Sequence, residues 1–497
     1  MVSTLLAALA EIARPISITF LLAAALCTYL LFWVIYTLWF HPLAKYPGPR
    51  LAAITQFWYA RNFTSGNWVP IMQDVHKKYG DIVRIAPNDL VFVTPQSFRD
   101  IYSQPTKGRM LFNKSPYLYS GIGEPGLSFI IDPKKHAEQR KHLAPGFSTR
   151  ALRDQEYLIH EYTDRFIELL TQRSKENDNG INMVEAMGWL TFDIAGELAF
   201  GESFDAVEKG KTHFWASVIM QANYFQILPA LLKRLPVIYL ALPLILLDRR
   251  AAMFRQHTKL TLEKTRKRVA MGDTNRHDFF SHVLKSDKMS EAQLAANASV
   301  LIIAGAETTA TTMSGALCFL AQNPACLQRL KDEVRGAFGN REEITGDSTA
   351  HLPYLNAAIE ESLRYCPPAA FGLPRDSPGE YVDGEYIPKG TIVSTDMFLM
   401  SRDPRSFDDP DVFLPDRWID KKNPMTETLR GFAFTVGPRA CLGITLAYLE
   451  MRIVMAKLVY TFDWELMNPD VDLISQGKLY LLWARPELMV RFHERSI

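Results

Sequence analysis

The sequence lacks an excess of either charge, a cysteine framework and any internal repeat, and each absence excludes a class of protein. Lys and Arg number 55 against 54 Asp and Glu in 497 residues. Nothing is left over to hold a polyphosphate, so nucleic-acid binding is excluded as the main task. The five cysteines, Cys27, Cys318, Cys326, Cys366 and Cys441, are odd in number, scattered and without a C-x-x-C pair. They are not a disulfide framework. With 48% hydrophobic and 22% charged residues, disorder, collagen and coiled coil are excluded as well. No low-complexity tract and no dinucleotide or flavin fingerprint occurs. Length alone sets a prior of roughly three domains.

One absence is local. The 30 residues between Arg14 and Lys45 carry no formal charge. Residues 16–40 are rich in Leu, Ala, Ile, Phe and Trp, and as a helix would be about 37 Å long, enough to cross a ~30 Å hydrocarbon core. Trp33, Tyr36 and Trp39 fall where an aromatic belt would sit. The stretch is too long for a signal-peptide core. It is expected to be a single N-terminal transmembrane anchor, residues 1–40; the alternative is a buried core helix. Lys45, Arg50 and Arg61 follow it, placing the body in the cytosol by the positive-inside tendency. Residues 41–50, with three prolines and a glycine, cannot continue the helix and predict a stiff hinge.

In the body, 82–85 and 90–93 predict a β-hairpin. Helical periodicity dominates from about 156 to 320, and strand signals return near 381–395 and over the last ~35 residues. The fold class is mainly α with a minor β portion. Residues 227–247 form a second apolar stretch, interrupted by Lys233 and Arg234 and punctuated by three prolines. It is expected to lie at a membrane surface, or else to be a buried helix pair. Ser290–Gln322 predicts one long helix opened by a Ser290/Gln293 capping box and ended by Asn323-Pro324. Its middle, Ala304-Gly305-Ala306-Glu307-Thr308-Thr309, is small enough for a large body to approach. Glu307 there is costly unless it meets water or a partner; a helix-packing notch with a surface Glu is the alternative.

The most informative segment is Phe434-Thr435-Val436-Gly437-Pro438-Arg439-Ala440-Cys441-Leu442-Gly443. A helix from Ile444 follows at once, so the dipole should favour a Cys441 thiolate. Gly437 and Gly443 permit unusual backbone angles and the approach of a flat body, and Arg439 is a nearby cation. A cysteine in a glycine-rich turn is equally compatible with a structural role.

The segment has the form F-x-x-G-x-R-x-C-x-G, and here the chain resembles the cytochrome P450 haem-thiolate monooxygenases. Glu361-Ser362-Leu363-Arg364 resembles their E-x-x-R helix, and 413–418 the P-x-R-[FW] segment that follows it. Residues 304–309 are similar to their oxygen-activating helix, and 136–140 to their W-x-x-x-R helix, with His136 in place of Trp. The hinge wording is most like fungal members of secondary metabolism. The resemblance implies one haem-binding domain over 51–497, since Arg140 and Cys441, 301 positions apart, would touch one haem b. Cys441 would ligate its iron, and Arg140, Arg375, Arg439 and His136 would hold its propionates. Glu307 and Thr308 would relay protons. Glu361, Arg364 and Arg417 would form a buried ion-pair cluster under the cysteine loop. Phe112, Tyr117, Phe129, Ala304, Phe371 and Leu479 would line an apolar pocket.

The implied activity is oxidation of an apolar small molecule by dioxygen. Electrons would come from NADPH through a separate NADPH-cytochrome P450 reductase, with cytochrome b5 as an optional second donor. The reductase would dock on a basic face at Lys134, Lys135, Arg140 and Lys141. The implied location is the endoplasmic reticulum membrane, and the implied products are terpenoid or polyketide. A haem-thiolate isomerase or dehydratase, and a non-catalytic membrane haem sensor, are the alternatives.

Overall fold

A computed structural model describes residues 2–119, 124–176, 178–218, 228–241, 249–272, 278, 279, 281, 289–420 and 424–495. The first helix, α1 (Val2–Ile35), continues as a π-helical turn over Tyr36–Phe40. Within it Ile18–Phe40 has a mean hydropathy of 2.3 and none of its apolar window is covered by protein, so it is long and apolar enough to cross a membrane.

The hinge behind it is docked on the body. Leu43 and Tyr46 are buried in a core cluster with Leu90 and Phe92. The Arg84 backbone N–H donates to the Pro47 carbonyl at 2.8 Å. A Cβ on Gly48 would lie 2.2 Å from the Arg84 carbonyl oxygen, so only glycine fits. The Arg84 side chain, 2% exposed, has no carboxylate partner among the described residues. Its Nη1 donates to Thr37 O at 2.8 Å, and its Nε and Nη2 to Pro87 O at 3.1 and 2.7 Å. Trp33 Nε1 donates to Ile54 O at 2.9 Å. The end of the apolar helix is thus bonded to the body at two places.

The helices that position the site are α2 (Pro133–Leu143), α3 (Thr149–Glu176), α4 (Met183–Phe200), α5 (Glu291–Gln322), α6 (Pro353–Tyr365) and α7 (Ile444–Thr461). The α5 helix begins on the expected capping box: Gln293 N donates to Ser290 Oγ at 3.2 Å and Ser290 N to Gln293 Oε1 at 3.0 Å. It runs through the core along α4, α6 and α7. Small residues on α4, among them Ala186, Ala195 and Ala199, allow the close approach.

Strands β1 (Ile82–Ala86) and β2 (Asp89–Phe92) form the expected hairpin. They belong to a five-stranded sheet in which β2 pairs in parallel with Ile392–Thr395, followed by Arg375–Asp376 and Asn113–Lys114. The C-terminal Met489–Glu494 strand lies between Ile181–Asn182 and Phe462–Leu466. Mainly helical with minor strand content, the molecule matches the expected class.

The second apolar stretch is only partly described. Residues 227 and 242–247 lie outside the described residues; a helix covers Leu228–Arg234 and a 3-10 turn Pro236–Ala241. Arg234, expected to interrupt the apolar run, is instead buried. It pairs with Asp89 at 2.7 Å, and its guanidinium lies 3.9 Å from the Tyr59 ring centroid and 4.9 Å from that of Tyr117. Val237, Tyr239 and Leu240 are exposed.

Candidate functional site

The cysteine loop lies between α6 and α7 and is shaped by its backbone. Gly437 sits at φ +75°, and a Cβ there would be 2.4 Å from the Tyr102 carbonyl oxygen. Gly443 is the helix N-cap at an ordinary φ of −89°. Its expected conformational role is therefore corrected: what it offers is room, since an added Cβ would meet only Phe147, at 3.9 Å. The Cys441 N–H donates to Phe434 O at 2.9 Å and pins the loop.

Cys441 is solvent-accessible, although enough protein surrounds its thiol for desolvation to act on it. Burial pushes its thiol above the ordinary range, against a Gly443 N–H and the Arg140 charge, which both pull it down. Burial thus opposes the thiolate that the helix start favours. Cys441 lies two residues ahead of the N-cap, and the desolvation cost wins. A bound metal ion would itself remove the proton.

Cations surround this loop. Arg140 Nη1 donates to Ala440 O at 2.7 Å, and Arg439 Nη1 and Nη2 donate to Ile130 O and Ile131 O at 2.7 and 2.6 Å. Arg375, 2% exposed, donates to Tyr119 Oη at 3.1 Å. A further member was not visible in the sequence: Lys114, buried, donates from Nζ to Ser128 O at 2.6 Å. Burial lowers the Lys114 pKa well below that of a free lysine, and Arg375, Arg439 and Arg140 lower it further. His136 is buried rather than exposed, and burial with the same cations pushes its imidazole down to about 3, so it is neutral. None of Lys114, Arg140, Arg375 and Arg439 pairs with a carboxylate among the described residues. A concavity of about 430 Å³ lined by His136, Arg140, Gly437 and Arg439 opens beside them. Of the expected basic face, Lys134, Lys135 and Lys141 are exposed, whereas Arg140 turns inward.

Opposite the loop is α5. Leu442, next to the cysteine, packs on the cluster that holds Ile302 and Ala306. Ala304, in the middle of this core helix, is exposed, as a wall of an internal void would be. Thr308 Oγ1 donates back to Ala304 O at 2.6 Å. Burial raises the Glu307 carboxyl to about 7, with Arg485 pulling the other way.

On α6, Glu361 and Arg364 are both fully buried. Arg364 Nε and Nη2 grip the Glu361 carboxylate at 2.9 and 2.8 Å. Glu361 also accepts from Arg417 Nε at 3.2 Å, and from Leu414 N and Trp418 Nε1 at 2.8 Å. Arg364 spends its remaining donors on the carbonyls of Ser401, Pro410 and Val412. The cluster staples α6 to the 401–418 segment.

The Cytochrome P450 family model matches residues 46–492. The cytochrome P450 monooxygenase BOA3 of Botryotinia fuckeliana is 40% identical to the chain, covering 94% of each. BOT4 of the same species is 38% identical, covering 95% of this chain and 90% of that one. The monooxygenase btcC of Colletotrichum orbiculare is also 38% identical, covering 92% and 91%. This chain is a cytochrome P450.

As a P450 monooxygenase, the chain is an oxidoreductase whose family implies haem with cysteine ligation, and the residues present fit that group. Buried and half-buried basic side chains without acid partners among the described residues suit two anionic propionates, and the accessible Cys441 on the loop beside them suits a metal-bearing group. The six expected pocket residues lie in different surroundings, with Phe371 and Leu479 sharing one core cluster. Phe112 is packed in a core cluster with Phe98 and Phe407, and Leu479 is fully buried in another. Phe371 meets Phe63 edge-on at 5.7 Å, and Tyr117 lies against Arg234. Phe129 is half-buried on a 3-10 turn, and only Ala304 is openly accessible.

Proposed function

We propose that this P450 is a membrane-anchored monooxygenase that oxidises an apolar small molecule, a terpenoid or polyketide, in fungal secondary metabolite biosynthesis. The observation that carries the reading is Cys441, accessible on a loop beside the buried Arg375 and Lys114 and the half-buried Arg140 and Arg439, none of which pairs with an acid among the described residues. Arg140, Arg375, Arg439 and Lys114 would bind the haem b propionates by charge-assisted hydrogen bonds, and neutral His136 would donate one more. Cys441 would be the axial ligand. The haem would supply dioxygen binding and its reductive splitting.

The chain's own part in that chemistry is proton handling. With a carboxyl held near 7, Glu307 both takes up and gives up a proton at neutral pH, and Thr308 can accept a hydrogen bond while donating to Ala304 O. The exposed Lys134, Lys135 and Lys141 offer an acidic reductase, fed by NADPH, a docking surface beside the Arg140–Arg439 concavity; cytochrome b5 could use the same face. Residues 16–40 would anchor a body at 51–497 to the endoplasmic reticulum, cytosolic side, through the 41–50 hinge.

The test is the reduced carbon monoxide spectrum of the full chain. A red-shifted Soret band is expected, and Cys441→Ser should abolish it; a Cys441→Ser variant that kept the band would sink the assignment. Spectral titration against terpene and polyketide panels identifies the substrate class.

A further inference from the structure

The loop that carries Cys441 is bent in a way its sequence does not favour. Among the described residues four non-glycine positions have a left-handed φ, and three of them are aspartates, which tolerate it. The fourth is Thr435, at φ +58° and ψ −176°. This lies at the edge of a region essentially reserved for glycine, and a β-branched residue enters it only where its surroundings force it to. Thr435 follows Phe434, whose carbonyl accepts from the Cys441 N–H at 2.9 Å, and precedes Gly437, itself at φ +75°.

Two residues outside the F-x-x-G-x-R-x-C-x-G segment hold Phe434. Its ring centroid lies 5.1 Å from that of Tyr448 on α7, with the planes inclined at 45°. Tyr448 Oη donates to Glu360 Oε1 at 2.7 Å, and Glu360 Oε2 accepts from Gly431 N at 3.2 Å. Arg430 Nη1 lies 4.0 Å from the same Oε1. Glu360, on α6, is buried, so these bonds are shielded from water. Gly431 leaves room for the contact: a Cβ on it would come within 3.4 Å of Tyr448 Oη. The Phe432–Phe434 turn is therefore gripped at its start through Gly431 and at its end through the Phe434 ring, and Thr435 N donates back into it, to Phe432 O at 2.8 Å. Glu360 and Glu361 are neighbours on α6 with different tasks. Glu361 holds the 401–418 segment and Glu360 the cysteine loop.

We propose that Glu360 and Tyr448 are positioning residues for Cys441: they fix Phe434, so that the strained turn at Thr435 stays closed on the Cys441 N–H. The inference rests on Cys441 as the axial ligand and adds which side chains hold its loop in place. The electron donation of a ligand depends on the hydrogen bonds and packing that orient it. With the Cys441 N–H tied to Phe434 O and a Gly443 N–H bearing on the sulfur, the closed loop presents one arrangement of donors to the thiolate. Releasing Phe434 lets Thr435 relax out of its left-handed conformation, and the donors around the sulfur change with it.

The experiment compares two tyrosines of α7 in the full chain loaded with haem. Tyr448→Phe keeps the ring and loses only the bond to Glu360. Tyr460→Phe loses an equivalent bond, to Gly339 O at 2.8 Å, that touches no residue of the loop. Both should lower the urea midpoint to a similar extent. Only Tyr448→Phe should shift the C–O stretch of the ferrous carbon monoxide adduct, which reports how strongly the thiolate pushes electron density. It should also speed the loss of the red-shifted Soret band in urea below the midpoint by about fivefold, as the loss of one net hydrogen bond from the closed loop gives. Glycine adopts this φ without help, so Thr435→Gly added to Tyr448→Phe should restore both readouts. An unmoved stretch in Tyr448→Phe, an equal shift in Tyr460→Phe, or a double variant no closer to the unsubstituted chain than Tyr448→Phe alone overturns the proposal. An unsubstituted chain without the red-shifted band fails the haem-thiolate reading itself, whereas a normal band with any of those three results refutes only the roles of Glu360 and Tyr448.

Discussion

Replacing Arg364 with Met tests how α6 is held to the 401–418 segment. Both members of the Arg364–Glu361 pair are fully buried. The substitution removes a bidentate grip on Glu361 and deprives three carbonyls, of Ser401, Pro410 and Val412, of their donor. Glu361 would keep Arg417, Leu414 N and Trp418 Nε1, which satisfy its lone pairs in part. Adding every lost hydrogen bond would overstate the effect, because water and local relaxation recover some of it. Breaking a buried pair by deleting one partner costs about 3–5 kcal/mol, and that is the expected loss. The assay is equilibrium urea unfolding of the detergent-solubilised full chain, with haem retention followed by the Soret band. Arg165→Met is the control: its partner is Glu161 on an exposed face, side chains 50% and 43% accessible, where about 0–1 kcal/mol is at stake. If Arg364→Met cost no more than Arg165→Met, the claim that this cluster staples α6 to the 401–418 segment would be refuted.

Other outcomes follow from the same geometry. Lys114→Met removes one of the four basic side chains, two buried and two half-buried, around the expected propionates, and haem transfer to an apo-globin acceptor should speed up severalfold while the carbon monoxide band stays in place; an unchanged rate excludes Lys114 from the site. His257 accepts from Trp215 Nε1 at 2.7 Å and is pushed by burial from 6.5 down to about 4. Its folded pKa is depressed, so the unfolded chain binds the proton first. Its share of stability is complete above pH 6.5 and is lost as pH falls towards 4, up to roughly 3 kcal/mol; His257→Asn should flatten that part of the stability–pH curve, measured by urea midpoints. Gly48→Ala forces a Cβ against the Arg84 carbonyl and should cost about 1–3 kcal/mol, visible as a lower melting temperature.

What the sequence made legible was whatever lies close together along it. The capping box, the 82–93 hairpin, the start of α7 at Ile444 and the E-x-x-R pair all depend on residues within a few positions of one another. The site's electrostatics were less legible, because they are assembled from distant segments. Lys114 belongs to the cation cluster only because the fold brings Arg140, Arg375 and Arg439 to it. Arg234 looked like a break in an apolar run, and it is the residue that fastens that run to Asp89. The Cys441 thiol illustrates a competition that spacing cannot settle: the helix start is where it was expected, yet burial outweighs it. Glu307 and Thr308 read as one relay in sequence, whereas Glu307 lines a cavity between α5 and α4 that Thr308 does not line.

The bonds from Arg84 to Thr37 and from Trp33 to Ile54 bear on how the protein can be handled. A cut at the hinge, the obvious place to make a soluble form, would strip Arg84 of the Thr37 carbonyl and leave a buried guanidinium donor without an acceptor. It would also free Ile54 O. A cut just before Trp33 keeps both bonds and discards most of the greasy helix. By the same reasoning the anchor proposed above would be a handle rather than a tether: the last two turns of this helix are bonded to the body, so the angle at which it crossed a bilayer would set the angle at which the body met the lipid surface.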